Sequence, residues 1–364
     1  MADTTTSTRL RVQQWDDSFF TEYVRESRFK PYMGTDENSI IQVKEDLMKK
    51  RGDRLTYNLV NRLTNAGITG TSNLEGNEES LSQRAHLLTV DKIRNGVRVA
   101  EMEEQKSAID LRDAARSQLK VWIAEKTRDQ IVSAFGSIQT AYGTQVAYAD
   151  ATEAEKDAWL VDNSDRVLFG AATSNNSAND HSASLANVDT SADLLSPANI
   201  SLMKRLAQAA SPKIRPIMTK GDEEWYVLFT GPLNIKSLQA DTVWTAANRE
   251  ARNRGKDNPL FRGADYVWDG VIIRQIPEIQ YLLNVGASSA EVEPCYLTGA
   301  QALGIGWAKR TTSKTKEFDY GDKYGVAIEE IRGIEKLHFE EGNDGSADFV
   351  QHGLVTGFFA VTAD

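Results

Sequence analysis

The stretch from Arg54 alternates with period two: Leu55, Tyr57, Leu59 and Leu63 share one parity, while Arg54, Thr56, Asn58 and Arg62 take the other. That pattern predicts a half-buried strand. It runs into TGTSNLEGNEES, residues 69–80, where the large apolar Leu74 sits among Glu75, Glu78 and Glu79. Gly67, Gly70 and Gly76 supply turn freedom there. A second extended stretch, SQRAHLLTVDKIRNGVRV, then runs back, which predicts a long hairpin with a wide polar tip. A lone two-stranded ribbon is at best marginally stable in water, and its edges invite another chain to pair with them. A chain that holds such an arm away from its body must finish it against something else.

Around this arm the sequence predicts an α+β protein. Residues 1–50 are polar and weakly periodic, with too little apolar content for a core of their own. The aromatics Trp15, Phe19, Phe20, Tyr23 and Phe29 predict an extended arm with short helical turns that docks on another surface. No proline occurs between Pro31 and Pro197, which leaves room for long helices. Residues 101–136 are the best of these: Ala108, Leu111, Ala115, Leu119 and Trp122 step along one face, Ile131 and Phe135 continue it, and Glu101, Glu103 and Glu104 suit the positive end of the helix dipole. Thr152 with Glu155 forms a capping box, and Ser196 followed by Pro197 opens a further helix. SNNSANDHSAS, 174–184, is predicted to be a polar loop with His181 solvated. Beyond Pro212, EEWYVLFTG and DYVWDGVIIRQI read as strands, and Pro232–Leu238 and TVWTAANREARNRG as helices. TGAQALGIGWAKR, rich in small residues, reads as a close-packing helix, and VAIEEIRGIEKLHFE and DFVQHGLVTGFFAV as strands.

Charge and chemistry exclude much. The formal charge is 42 − 52 = −10, which opposes adhesion to phosphate backbones and to anionic membrane surfaces. No apolar run is long enough to cross a bilayer as a helix, and MADTTTSTRL lacks the charged-then-apolar pattern of a cleaved leader, so synthesis inside the cell is expected. Cys295 is the lone cysteine, predicted to be buried, with no disulfide partner in the chain. His86, His181, His338 and His352 lack metal-ligand spacing, and neither a nucleophile elbow nor a phosphate-binding glycine loop is present. GIGWAK, 304–309, has two dinucleotide-type glycines but Lys309 where the third belongs. The pairs Glu78-Glu79, Glu223-Glu224, Glu329-Glu330 and Glu340-Glu341 read as solvated surface, since adjacent carboxylates point apart. GNDG, 342–345, reads as a turn. No catalytic, cofactor or metal site is expected.

Several segments together resemble one family. GDRLTYNLVNRLTNAGITG, SNLEGNEESL, WTAANREARNRGKDNPLFRGA, YVWDGVIIRQI, LTGAQALGIGWAKR and EFDYGDKYGVAIEEIRGIEK are similar to the major capsid proteins of tailed bacteriophages, in their podovirus-type subfamily. The most specific pieces are LEGNEE and the DNPLFRGA…DGVII block, and the similarity runs in order over about residues 50–360.

The resemblance implies the Johnson capsid fold: an N-terminal arm (1–50), an extended-loop hairpin (51–99), a peripheral domain with a spine helix (100–215), an axial domain (216–324) and returning strands of the peripheral domain (325–364). It implies a subunit that assembles through pentamers and hexamers into an icosahedral virion shell around double-stranded DNA, without sequence-specific binding. Assembly in the host cytoplasm is expected to involve a separate scaffolding protein, a portal at one vertex and a decoration or cement protein. Trp15, Phe19, Phe20, Tyr23, Glu75, Glu78 and Glu79 are the implied contacts with neighbouring subunits. Some members weld the shell by an isopeptide bond from a lysine on the extended loop; residues 51–91 contain no lysine, so a noncovalent shell is expected. No fused scaffolding segment is expected ahead of the arm. Two other readings remain at this point: an encapsulin-like nanocompartment with the same fold, and a hydrolase with an unrecognised carboxylate site.

Overall fold

The computed structural model describes residues 29–48, 52–60, 63, 67–70, 73–79, 83–106, 111–218, 223–252, 266–340 and 349–362. After Phe29 the chain lays down two short parallel strands, Met33–Gly34 (β1) and Ile41–Lys44 (β2). Arg54–Val60 (β3) and Gln83–Thr89 (β4) pair antiparallel with Tyr57 opposite His86, as the alternation predicts. The returning stretch does not stay in one ribbon. At Val90, whose N–H donates to the Asp53 carbonyl at 3.0 Å, it leaves the hairpin. The register of β3 ends at Arg54, so the backbone groups of Asp91–Ala100 (β5) must find partners elsewhere.

The helical segment begins with Glu101–Lys106, and its main part is Leu111–Gly136, 26 residues or about 39 Å long. Ala115, Leu119, Ile123, Thr127, Ile131, Ala134 and Phe135 are its buried seam. Trp122 is half-buried beside that seam, and Ala108 lies outside the described residues. The hairpin Ile138–Ala141 (β6) and Thr144–Val146 (β7) follows. The helix Glu153–Asp162 carries the expected capping box, with the Thr152 amide donating to Glu155 Oε2 at 2.8 Å. After Val167–Phe169 (β8), the 174–184 stretch departs from the expected solvated loop. Asp180 caps a short helix, His181–Leu185, and His181 is buried, its ring in hydrogen bonds to Tyr148 Oη (2.8 Å) and Glu153 Oε1 (2.6 Å). A polar sequence can form interior structure when its groups satisfy one another.

The helix Pro197–Ala209 is capped by Ser196 as predicted. Then come Ile217–Met218 (β9), Glu224–Thr230 (β10), the helices Pro232–Ala240 and Thr242–Arg252, and the strands Tyr266–Trp268 (β11), Val271–Gln275 (β12) and Glu291–Thr298 (β13). The one clear reversal is at residues 298–310. The expected helix is instead the start of Leu303–Phe318 (β14), a 16-residue strand. Its first residues are buried between β2, in parallel register, and Lys323–Lys336 (β15), antiparallel. The small residues that suggested close helix packing serve close packing against the hairpin instead. His338–Glu340 (β16), Phe349–Gln351 (β17) and Leu354–Val361 (β18) complete the chain.

Two sheets organise these strands. One runs β1-β2-β14-β15-β5; the other runs β11-β12-β10-β13-β18-β8, with β9 on β10. The spine helix packs on the first sheet, and Phe29, Phe135, Phe229, Tyr296 and Leu303 belong to one cluster that ties both sheets together. Residues 342–345 lie outside the described residues.

Candidate assembly interface

The hairpin is locked at its root and open beyond it. Leu55, Tyr57 and Leu88 pack with Leu337 and Phe339 as a small separate core. The Tyr57 hydroxyl lies 3.2 Å from the Gln42 carbonyl and 3.1 Å from that of Ile305, and burial pushes its pKa well up. His86 is buried beside it, with Nδ1 3.0 Å from the His338 carbonyl and Nε2 3.4 Å from Glu335 Oε2. Glycines make this docking possible. A Cβ on Gly304 would stand 2.9 Å from Tyr57 Cζ, one on Gly306 2.9 Å from Leu88 Cδ2, and one on Gly333 2.1 Å from the Thr89 carbonyl oxygen. The two glycines of GIGWAK are clearances for the hairpin root, which explains them without a cofactor.

Beyond the root, Val60, Leu63 and Leu74 are all more than half exposed. Glu75 and Glu78 are exposed and Glu79 is half-buried. The tip is held by its own hydrogen bonds: the Asn77 amide donates to the Leu74 carbonyl (3.0 Å), and the Gly76 amide to the Glu78 side-chain Oε2 (2.8 Å). Trp15, Phe19, Phe20 and Tyr23 lie outside the described residues. Phe29, the fifth of the aromatics expected to anchor the arm, is fully buried, with its ring centroid 5.4 Å from that of Phe229 and 6.1 Å from that of Phe135.

The Glu329-Glu330 pair, expected at the solvated surface, is drawn into the molecule. Its two carboxylates do point apart, one to each face of β15, and their fates are opposite. Glu330 faces the spine helix and is fully buried; its Oε1 lies 3.0 Å from Arg332 Nε, and its Oε2 accepts from the Thr311 hydroxyl at 2.9 Å. Burial holds its pKa above the usual carboxylate range, with Arg332 working against that shift. Arg332 in turn donates to Thr127 Oγ1 and, at 2.7 Å, to Gln130 Oε1 on the spine helix, and its guanidinium lies 5.6 Å from the Trp307 ring. Glu329, on the other face, takes hydrogen bonds from Lys309 and Lys314 (2.6 Å) and an ion pair with Lys92 (3.0 Å). Lys309 first, then Lys314, pulls its pKa down to about 2. Sequence reading missed this lysine cluster, because its members come from two strands on either side of β15 and only the register brings them together.

Three further buried titratable groups, Glu293, Lys336 and Cys295, sit in packed structural settings. Glu293 accepts from the Asn234 amide at 2.6 Å at the start of the helix Pro232–Ala240, and burial raises its pKa to about 7. Gly231 leaves the room it occupies, since a Cβ there would fall 2.0 Å from Glu293 Oε1. Lys336 donates to the Phe135 carbonyl at 3.2 Å, and burial lowers its pKa to about 7. Cys295 is buried, as expected, and its thiol pKa is pushed up by burial. Among the described residues, no three His, Cys, Asp or Glu side chains gather to hold a metal ion.

Comparison with known proteins identifies what such an arm belongs to. The phage capsid protein family matches residues 3–361. The major capsid protein of Pseudomonas phage KPP25 is 28% identical over 356 residues, covering 90% of this chain and 91% of that protein. Among solved structures, the capsid asymmetric unit of cyanophage Pam1 superposes with a TM-score of 0.83 at 35% identity, covering all of both chains. The capsid of Ralstonia phage GP4 superposes at 0.72 and 22% identity, covering 93% of this chain and 92% of that one. The α+β architecture is therefore the Johnson capsid fold, and the chain belongs to the phage capsid protein family, as a structural subunit of the virion shell.

Proposed function

We propose that this chain is the major capsid protein that builds, through pentamers and hexamers of identical copies, the icosahedral shell around the double-stranded DNA of a tailed bacteriophage. The observation that carries the reading is the hairpin: its root is a packed core, while Val60, Leu63 and Leu74 beyond it are exposed. That arrangement suits an arm completed by an adjacent subunit. In this reading residues 1–50 are the arm and 51–99 the extended loop. Residues 100–215 with 325–364 form the peripheral domain, and 216–324 the axial domain. Glu75, Glu78 and Glu79 meet cations of the neighbour, and Trp15, Phe19, Phe20 and Tyr23 dock the arm. Each exposed ion pair contributes only about 0–1 kcal/mol, so stability comes from repetition around the shell. The lysine-free loop supports a noncovalent shell. A separate scaffolding protein, a portal at one vertex and a decoration protein complete the assembly, and the DNA is enclosed without sequence-specific contacts.

Sedimentation of the purified protein followed by electron imaging tests this. Closed icosahedral shells, and virion-derived shells that hold DNA, are the expected result. Persistence as a small oligomer under all assembly conditions overturns it, and shells that hold cargo enzymes but no genome point to a nanocompartment.

A further inference from the structure

The spine helix ends against a buried lysine. Lys336, the last residue of β15, is 1% exposed, and Gln145 clamps its backbone: Oε1 accepts from the Lys336 amide at 3.1 Å, and Nε2 donates to the Lys336 carbonyl. An ammonium carries three donors. This one gives a single hydrogen bond, to the Phe135 carbonyl at 3.2 Å, and lies 5.6 Å from the Trp159 ring centroid. Among the described residues no carboxylate pairs with it, and burial alone shifts its pKa. The titratable side chains around it supply no negative charge. Burial raises the phenol pKa values of Tyr148 and Tyr296 well above the ordinary value, and burial first, then Lys336 itself, holds His338 well below its own. A charge in such a place is costly unless something answers it.

Lys336 lines a cavity of about 10 Å³ with Trp159 of the helix Glu153–Asp162 and Thr356 of β18. Both are buried, and Trp159 Nε1 and Thr356 Oγ1 have no hydrogen-bond partner among the described residues. A space of that order holds one particle of about the size of a water. The cavity adjoins a wider cleft of about 520 Å³ beside the spine helix, and Gly136, Tyr148, Pro294 and Tyr296 line both. These four residues form a neck. A Cβ on Gly136 would stand 2.9 Å from the Tyr296 hydroxyl, so glycine keeps the neck clear. The carboxylates of the outer cleft, Asp129 and Glu278, both pair with Arg128, at 3.0 and 3.1 Å, which lowers the barrier to an approaching anion.

We propose that this cavity is a binding site for one small monovalent anion, of the chloride class, held by the Lys336 ammonium, the Trp159 indole N–H and the Thr356 hydroxyl. The donor balance favours an anion over a water. An indole N–H only donates, the ammonium only donates, and the acceptors among the lining side chains are hydroxyls. A water would bring two more protons into a wall already rich in donors, whereas a halide accepts from all three groups and neutralises the buried charge. Size excludes phosphate, sulfate and carboxylate ligands from so small a space. The bound ion joins the end of the spine helix, through Lys336 and Phe135, to the helix Glu153–Asp162 and to β18. It acts as a structural counter-ion within one subunit.

Unfolding of the purified full-length subunit in sodium chloride against sodium gluconate at equal ionic strength tests this. One site on the folded chain raises the folded-to-unfolded ratio by about tenfold for each tenfold rise in chloride above its dissociation constant. That chloride-specific gain is the expected result, lost in Lys336→Met and weakened in Trp159→Phe and Thr356→Val, which keep the site's shape should the lysine variant not fold. Chloride also favours the ammonium, so the stability gained as pH rises above 7 shrinks in chloride and is full in gluconate. In crystals grown in sodium bromide, an anomalous peak within hydrogen-bond distance of Lys336 Nζ and Trp159 Nε1 is expected. Equal stability in the two salts, a chloride gain unchanged in all three variants, or density at the site without anomalous signal, as a water gives, overturns the proposal.

Discussion

Replacing Arg332 with methionine tests how the spine helix is fixed to the sheet. Among the described residues the guanidinium is the ion-pair partner of the buried Glu330, at 3.0 Å, and it also donates to Thr127 and Gln130. Methionine fills similar volume but leaves Glu330 with the Thr311 hydroxyl and a carboxylate in a dry interior. Breaking a buried pair by removing one partner costs about 3–5 kcal/mol, a large share of the roughly 5–15 kcal/mol that stabilises a typical domain. Adding Glu330→Gln removes the uncompensated charge and leaves only lost hydrogen bonds, worth about 0.5–1.5 kcal/mol each. The double variant is therefore more stable than Arg332→Met alone. The pH dependence has a definite sign. Burial already raises the Glu330 pKa, and losing Arg332 raises it further. A carboxyl raised in the folded state favours folding below its unfolded pKa, and that contribution is lost as pH rises through the folded value. The deficit of Arg332→Met is thus greatest at neutral pH and shrinks on acidification. Denaturant unfolding of unassembled subunits, followed by tryptophan fluorescence, measures all of this. Equal stability of the single and double variants, or a deficit that does not change with pH, would refute the ionic account of this contact.

Gly304→Val and Gly306→Val drive a side chain into Tyr57 or Leu88 and cost about 1–3 kcal/mol by overpacking. Because the clash lies at the hairpin root, sedimentation should show a loss of shells at temperatures where circular dichroism still reports a folded subunit. Phe29→Ala empties a fully buried site between Phe135 and Phe229 and should cost about 3–5 kcal/mol in thermal or denaturant unfolding. The Glu293 carboxyl titrates at about 7 in the folded chain against about 4.3 unfolded. Its contribution is therefore full below the unfolded value and falls as pH rises through 7, so Glu293→Gln should flatten that part of the stability profile. Lys336, lowered to about 7 by burial, contributes in the opposite sense: stability is gained as pH rises from 7 toward the unfolded value near 10.4. In Lys336→Met that alkaline gain should disappear from the unfolding profile.

What local chemistry alone can specify was legible in the sequence. The alternation of Leu55, Tyr57 and Leu59 gave β3, the Thr152–Glu155 box and the Ser196–Pro197 pair gave two helix starts, and Ala115, Leu119, Ile131 and Phe135 gave the buried seam of the spine helix. Each is a pattern within one or a few turns, where propensity and capping act through near neighbours. The family resemblance rested on longer segments and held across the chain.

Tertiary structure decided the rest. TGAQALGIGWAKR reads as a helix because small residues permit close helix packing; from Leu303 it is a strand because β2 and β15 supply hydrogen-bond partners on both sides and the hairpin root needs its glycines. His181 was read as solvated and is buried, because Tyr148 and Glu153 arrive from other elements to satisfy its ring. Glu329 and Glu330 look alike in sequence, and β15 sends one to a lysine cluster and the other to a buried arginine. Sequence by itself determined the elements whose signal lies within one segment, such as β3, the two capped helix starts and the seam of the long helix, since those follow from spacing along the chain. Which charges meet, and which face carries the cations, follows from strand register, and register is fixed only when distant strands pair.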